Sequence, residues 1–269
     1  MESTTVHNAK KPLNRFLDIR VDPITRMDAV DWAGSCIADA KVGNYIIVLN
    51  VAKLVEARKN PSVRQIIDGA DLVGADGVPI VWLSRFIGAR IPERVCGTDL
   101  MMDLLEEGNR NGWSFFFFGA TQEVVEQFAA KTKFLYPNLV IAGFRNGYFF
   151  QEEERKIVEE INSSGANILF IAFGSPKKEF FVDRWRKELH VNVIHGVGGS
   201  FDVFVGRVKR APVFMQRLGL EWFYRFLQEP RRMFKRYAVT NLVFLGLVVA
   251  ELTRKALGLA GVDTHADEH

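Results

Sequence analysis

Short apolar runs separated by helical patterns are the feature that most constrains how this chain folds. Such runs lie at residues 17–21, 45–49, 70–75, 113–118, 139–144, 167–173 and 191–195. Several are apolar throughout instead of alternating, as expected for strands that are covered on both faces. Because strands that alternate with helices of roughly 10–15 residues form βαβ units, the sequence predicts an α/β fold, a Rossmann-like parallel sheet flanked by helices.

The chain is long enough for one large domain with an appendage. Its 269 residues are 48% hydrophobic and 25% charged, which is typical of a folded protein with a substantial core. Beyond Gly206 the pattern becomes helical only, so we place a boundary near Arg210. The predicted organisation is a flexible lead-in (1–16), a Rossmann-like domain (17–209), a helical membrane-binding appendage (210–258) and a tail (259–269).

Cysteine content and apolar runs indicate the cellular setting. Cys36 and Cys96 provide neither a disulfide framework nor a metal-ligand spacing, so a reducing cytoplasm is expected. The first residues lack the apolar core of a secretory signal. The run at 242–250 is shorter than the ~18 residues that cross a bilayer. We therefore expect a cytoplasmic chain that can lie on a membrane but does not span one.

Positive charge is concentrated near the C-terminus. Residues 207–236 hold nine Lys or Arg against two acids, Glu221 and Glu229, a net charge of +7 in a chain whose total is +3. The charges are interleaved with aromatic residues over 222–226. This composition suits an anionic, amphiphilic partner, either a membrane surface or a nucleic acid, and equally suits a solvated helix face with a packed underside.

Polar or glycine residues follow the predicted strands. They include Asn50, Asp76, Gly119 and the glycine turn at 196–199. Ligands of open parallel sheets bind at this edge, where glycines let backbone N–H groups approach a phosphate. Asp76, which follows a buried strand, is a candidate general base. It is equally well explained as an Asp-Gly turn residue that caps the next helix.

Two further residues also have a functional and a structural explanation. Arg94 can pair with phosphate as a planar fork or brace its loop, and Asn50 has the same two possibilities. The sequence lacks the dinucleotide glycine motif, the Walker lysine motif, the nucleophile elbow and a D-x-D pair, and its five histidines do not cluster. No cofactor and no catalytic metal are therefore expected.

A group of motifs extends along nearly the whole chain: ADGVPIVW, IPERVCGTDLM, FFFFGA, NGYF, GSPKKE, and GVGGSFDVFVGRVKRAP followed by QRLGLEWFYRFLQEPRR. Together, and in this order, these motifs resemble those of the WecG/TagA/CpsF glycosyltransferase family. The resemblance implies inverting, metal-independent transfer of a sugar from a UDP-sugar to a polyprenyl-diphosphate-linked saccharide. It also implies a peripheral position on the inner face of the cell membrane, a homo-oligomer and no nucleic-acid partner.

The resemblance carries roles to single positions. Asp76 matches the proposed catalytic base. The substrate-binding positions that it implies are Asn50, Arg94, Tyr148 and Asp202. To these we add Gly119 and Gly198, which are glycines at strand ends, and Lys178 of the GSPKKE motif, so that all seven are predicted substrate-binding residues. Contacts with the lipid diphosphate are implied for Arg225, Arg232, Lys235 and Arg236. A helix is predicted to start at Pro230. In this helix, Arg232, Lys235 and Arg236 have the i, i+3, i+4 spacing that places them on one face.

Two positions depart from the family's pattern. Val48 stands where the family often has Thr, and Lys178 stands where it usually has Gln. Both changes affect the expected sugar site, and a donor that carries a carboxylate would suit Lys178. Two rival functions remain open on sequence alone: a nucleotide-sugar-modifying Rossmann enzyme such as an epimerase, and a non-enzymatic module that binds anionic membranes or nucleic acid.

Overall fold

A short hairpin precedes the main sheet. The computed structural model describes residues 14–87, 90–228 and 230–257, with backbone only at 87, 217, 225, 231–239, 255 and 256. Strands β1 (Arg15–Phe16) and β2 (Ile19–Arg20) pair antiparallel. The single strand predicted over 17–21 is therefore wrong, because Leu17 and Asp18 take positive φ values of 49° and 64° and reverse the chain. Most of the predicted lead-in, and the predicted tail, lie outside the described residues.

Six parallel strands form the central sheet, as the sequence predicts. They are β3 (Asn44–Leu49), β4 (Leu72–Ala75), β5 (Ser114–Gly119), β6 (Val140–Arg145), β7 (Ile168–Ala172) and β8 (Val193–Gly196). Their order in the sheet is β4-β3-β8-β7-β5-β6, and every neighbouring pair is parallel. This arrangement confirms the Rossmann-like fold class.

Helices cover both faces of the sheet. One layer holds α1 (Arg26–Ala38), α5 (Gly97–Asn111), α6 (Gln122–Leu135) and α9 (Ser200–Val205). The other holds α2 (Val51–Lys59), α3 (Pro61–Asp68), α4 (Val78–Ile87), α7 (Glu154–Ser163) and α8 (Lys177–Trp185), with a 3₁₀ turn at Gln151–Glu153 before α7. Helices α10 (Val213–Arg217), α11 (Glu221–Gln228) and α12 (Pro230–Ala256) follow, and α12 starts at Pro230 as predicted.

Strand β5 illustrates why the sheet is buried on both sides. Phe115 and Phe117 point into the layer of α1, α5 and α6, whereas Phe116 and Phe118 point into the opposite layer. All four side chains have at most 1% of their surface exposed. Four consecutive aromatic residues are tolerated because each face of the strand meets a packed helical layer.

Helix α3 is not among the predicted elements. The Asn60 side chain accepts hydrogen bonds from the N–H groups of Ser62 and Val63, at 3.1 and 3.4 Å, and Pro61 occupies the first helical position. Asn followed by Pro is a helix-start signal that the sequence contains.

The last helix contributes to the core. Helix α12 packs against α2, and its Phe244 and Val248 are buried in the same cluster as Phe16, whose ring lies 6.4 Å from that of Phe244. The run at 242–250, expected to enter a headgroup boundary, is therefore divided between two faces, since Leu242, Leu245 and Val249 are exposed. Among the helices that the structure describes, none is both long and apolar enough to cross a bilayer.

Substitution of two neighbouring residues of α12 tests whether one face of the helix is buried and the other exposed. Phe244 is 8% exposed and Leu245 is 59% exposed. We expect Phe244→Ala to lower the free energy of unfolding by about 2–4 kcal/mol, because it empties a core position. Leu245→Ala, the matched control, should change it by less than about 0.5 kcal/mol. Urea denaturation of both variants measures the difference, and equal values would contradict the packing of α12 on the core.

Candidate active site

Asp76 lies at the carboxyl end of β4, at the edge of the sheet where ligands of such folds bind. Its backbone N–H donates to the carbonyl of Leu49 at 2.8 Å, which extends the β3–β4 ladder by one residue. In the first turn of α4, the N–H groups of Ile80 and Val81 donate to the carbonyl of Gly77 at 3.0 and 3.2 Å. No described residue donates a hydrogen bond to the Asp76 carboxylate, so the helix-capping explanation of Asp76 has no support.

The surroundings of Asp76 make its carboxylate a stronger base. The pKa of Asp76 is raised to about 6, mainly by burial. Glu221 and Asp99 add to this increase, whereas Arg94 and Lys53 oppose it. The carboxylate therefore remains largely ionised at neutral pH and accepts a proton more readily than an exposed aspartate. A pKa close to the working pH is what general-base catalysis requires.

Arg94 is held by two carboxylates from different parts of the chain. Its Nη1 lies 2.6 Å from Oε2 of Glu221, at the start of α11, and its Nη2 lies 3.6 Å from Oδ2 of Asp99 in α5. Asp99 also forms a bidentate ion pair with Arg210, whose Nη1 and Nη2 lie 2.6 and 2.8 Å from Oδ1 and Oδ2 of Asp99. The loop-bracing function considered for Arg94 is therefore observed, and its contact with a phosphate stays a prediction.

A second polar cluster is buried between the ends of β3, β7 and β8. Glu179 Oε1 lies 3.1 Å from Lys53 Nζ and 3.2 Å from Lys178 Nζ, and it accepts a hydrogen bond from Ser175 Oγ at 2.7 Å. A Cβ at position 196 would lie 2.8 Å from Cε of Lys178, so a larger residue than Gly196 would displace the end of the Lys178 side chain from this cluster. Glu179 is 0% exposed and the two lysines are 6% exposed.

Asn50 connects this cluster to the strand end. Its Oδ1 accepts a hydrogen bond from the N–H of Lys53 at 2.9 Å and so caps α2. The cap fixes the first turn of α2, which contains Lys53. From this position Lys53 forms an ion pair with Glu179, and its charge lowers the pKa of Asp76. Val48, one of the two departures from the family's pattern, is buried in the core and packs closely on Gly97.

The two predicted glycines differ in their surroundings. Gly119, with φ 137°, is buried where β5 meets β7, and a Cβ there would lie 2.6 Å from the carbonyl of Ala172. Strand pairing alone thus requires glycine at 119. Gly198, with φ 57°, lies in the turn from β8 to α9, and a Cβ there would meet nothing within 4 Å. Its backbone faces open space that a ligand can enter.

The remaining predicted residues are not all close to Asp76. Tyr148 is exposed and follows β6, at the opposite edge of the sheet from β4, so five strand spacings, or about 24 Å, separate the two strand ends. Asp202 is partly exposed in the first turn of α9. The side chains of Arg225, Arg232, Lys235 and Arg236 lie outside the described residues.

Three charged residues of the site were missed as site residues from sequence. Lys53 carries a local signal, because it lies three residues after the cap Asn50 and so faces back toward the strand end. Asp99 lies five positions after Arg94, in the first turn of α5, but an acid in a first helical turn carries no specific signal for a site. Glu221 carries none, because it meets Arg94 from 127 positions away in sequence. Within the described residues, no group of three or more His, Cys, Asp or Glu side chains is arranged to hold a metal ion.

The fold and the site define an α/β enzyme whose candidate base and cations converge at the carboxyl edge of a parallel sheet. The model of the glycosyl transferase WecG/TagA/CpsF family matches residues 14–257. The chain belongs to this family and is a glycosyltransferase.

One relative is similar to this chain over most of its length. The chain is 33% identical over 233 residues to an N-acetylglucosaminyldiphosphoundecaprenol N-acetyl-beta-D-mannosaminyltransferase of Bacillus spizizenii. The alignment covers 84% of this chain and 90% of the relative.

The buried cluster around Glu179 leads to a stability prediction. Burial raises the pKa of Glu179, but Lys53 and Lys178 outweigh it and lower the pKa from 4.5 to about 2. The ionised carboxylate therefore stabilises the fold above pH 4.5, and this contribution is lost as the pH falls toward 2. We expect Glu179→Gln to lower the free energy of unfolding by about 3–5 kcal/mol at neutral pH, because two buried ammonium groups lose their partner.

Urea denaturation measures this effect, with Glu159→Gln on the exposed face of α7 as the control. The difference between Glu179→Gln and the wild type should shrink between pH 4.5 and 2, since the wild-type carboxylate is then protonated. A difference that is small at neutral pH would contradict the contacts described for Glu179.

Proposed function

We propose that this glycosyltransferase moves a sugar from a UDP-sugar to a polyprenyl-diphosphate-linked saccharide, with inversion and without a metal, at the inner face of the cell membrane. The observation that carries the proposal is the position of Asp76 directly after β4, at the carboxyl edge of the sheet, where its backbone N–H donates to the carbonyl of Leu49. Burial there raises the pKa of Asp76 to about 6, and Arg94 and Glu221 of the appendage both act on its charge. The similarity to an enzyme named for an N-acetylglucosaminyldiphosphoundecaprenol acceptor supports the lipid-linked substrate.

In the proposed reaction Asp76 acts as the general base. Its carboxylate takes the proton of the acceptor hydroxyl while the hydroxyl oxygen attacks the anomeric carbon on the face opposite UDP. The bond from the anomeric carbon to the phosphate oxygen breaks, and UDP leaves with the electron pair. One displacement inverts the anomeric configuration, and a pKa near 6 keeps the base ionised at neutral pH.

Cations replace a metal in this proposal. Arg94 neutralises charge on a diphosphate as a planar donor, and Lys53 adds a positive field at the strand end. The substrate-binding roles predicted for Asn50, Gly119, Tyr148, Lys178, Gly198 and Asp202 remain part of the proposal. So do the lipid-diphosphate contacts of Arg225, Arg232, Lys235 and Arg236.

The appendage supports a peripheral membrane position. Helix α11 exposes Trp222, Phe223 and Leu227 beside the basic segment, and such a combination suits the boundary between headgroups and acyl chains. A homo-oligomer and the absence of a nucleic-acid partner stay predictions. The epimerase and the non-enzymatic module are set aside, because the chain is a glycosyltransferase.

The contacts of Lys178 bear on the hypothesis that the donor sugar is acidic. Lys178 Nζ lies 3.2 Å from Glu179 and donates to Ser175 Oγ at 2.9 Å. A carboxylate on the donor therefore has to share Lys178 with Glu179. The acidic donor remains a prediction, and a neutral N-acetylhexosamine is its alternative.

A transfer assay tests the proposed function. UDP-hexoses, UDP-N-acetylhexosamines and UDP-uronic acids are each supplied with a short-chain polyprenyl-diphosphate N-acetylglucosamine, and product is identified by mass spectrometry. We expect one donor to be preferred and the rate to be the same with and without EDTA. A strict requirement for Mg²⁺ would overturn the metal-free mechanism, and equal use of neutral and acidic donors would count against the role of Lys178.

Substitution of the base tests the mechanism. Asp76→Asn should lower kcat by about 10²–10⁴-fold, the usual contribution of a general base, while UDP binding by calorimetry is retained. Asp31→Asn, on the exposed face of α1, is the control. The wild-type rate should rise with pH and reach half its plateau near pH 6. Normal turnover by Asp76→Asn would remove Asp76 from this role.

A further inference from the structure

Glu221 connects the appendage to the candidate active site. It begins α11, and its Oε2 lies 2.6 Å from Nη1 of Arg94 in the sheet domain. The residues of this pair are 127 positions apart in sequence. Its Oε1 lies 3.6 Å from Nε of Arg210, so this acid of the basic segment is shared between Arg94 of the domain and Arg210 of its own segment.

The turn before α11 fixes the position of Glu221. Gly219, with φ 73°, lies so close to Val78 that a Cβ there would be 2.8 Å from the Val78 Cβ. Val78 is the first residue of α4 and lies two positions after Asp76. On the other side of the pair, the backbone N–H of Val95, which follows Arg94, donates to the carbonyl of Ala75 at 2.8 Å. The backbone near both members of the pair is therefore held against the same strand end as the candidate base.

The pair is partly buried. The Arg94 and Glu221 side chains are 18% and 30% exposed. In the i, i+3 pair Glu251–Arg254 of α12 the acid is similarly exposed, at 31%, but the arginine is 61% exposed and the separation is 3.5 Å. A short, partly buried, charge-assisted contact restricts the guanidinium far more than an exposed pair does.

We propose that Glu221 is a positioning residue for sugar transfer, which holds the Arg94 guanidinium beside Asp76 while α11 is docked on the sheet domain. The inference rests on the proposed function, in which Asp76 is the base and Arg94 meets the diphosphate. It adds that the appendage contributes an acid to the site, and that transfer depends on this acid as well as on the appendage's cations.

The charges around the two carboxylates give the inference a pH signature. Glu221 faces Arg94 and Arg210, and Asp76 experiences Arg94, Glu221, Lys53 and Asp99. Glu221 raises the pKa of Asp76, and Arg94 lowers it. Removing the charge of Glu221 also leaves Arg94 less compensated, so both effects shift the pKa of Asp76 downward.

The test compares Glu221→Gln with Glu221→Asp, and uses Glu251→Gln as the matched control in the same appendage. For Glu221→Gln we expect kcat and kcat/KM to fall together by roughly 10- to 100-fold, because a displaced Arg94 guanidinium no longer stabilises the charge that develops on the diphosphate in the transition state. The acid limb of its pH–rate profile should move below the wild-type midpoint near pH 6.

The shorter acid separates charge from position. Glu221→Asp keeps the negative charge but withdraws the carboxylate by one methylene, so we expect its acid limb to stay near that of the wild type while kcat falls less than in Glu221→Gln. Glu251→Gln should match the wild type in both respects. Thermal unfolding of each variant shows whether the protein is folded at the assay temperature.

Several results would overturn the inference. One is an unchanged kcat in Glu221→Gln. Another is a loss of activity in Glu221→Gln and Glu221→Asp alike with no movement of the acid limb, which indicates a structural role alone. The carboxyl ¹³C resonance of Asp76, assigned with Asp76→Asn, provides a readout that needs no activity, and its midpoint should fall in Glu221→Gln. If the wild type transfers no sugar, the proposed function fails while this titration still decides whether Glu221 acts on Asp76.

Discussion

Burial of both faces of the parallel sheet is the constraint on which the rest of the structure depends. The strand interiors contain almost only apolar side chains, since Phe115–Phe118 and their neighbours meet helices above and below. Polar groups are therefore displaced to the strand ends, where the chain leaves the sheet. Asp76, Asn50 and Gly198 all lie at such ends, and the helix starts nearby add N–H groups and a favourable dipole for anions.

The sequence predicts those features of the site that depend on local order. A buried run followed by Asp76 and Gly77 places a carboxylate at a strand end, whatever the rest of the chain does. The ion pairs of Arg94 could not be predicted, because Glu221 meets Arg94 only after the appendage folds back on the domain. The same limit applies to the hairpin at Leu17 and Asp18, whose positive φ values a short apolar run does not reveal.

The C-terminal helix shows how one apolar run can be divided between a buried and an exposed helix face. Over 242–250 nearly every residue is apolar, which on sequence alone suits a membrane boundary. The helical period separates Phe244 and Val248, which pack into the core, from Leu242, Leu245 and Val249, which do not. The appendage is thus held to the domain by apolar contacts at α12 and by an ion pair at α11.

The electrostatics at Arg94 explain why these two attachments matter for chemistry. The basic excess of the segment 207–236 favours an anionic surface, whereas Glu221 places a negative charge against the domain. A nearby carboxylate strengthens a base and a nearby cation weakens it, so the position of α11 influences the proton affinity of Asp76. Separation of α11 from the domain removes the carboxylate and leaves the cation. The proton affinity of Asp76, the candidate base, therefore depends on where the appendage lies.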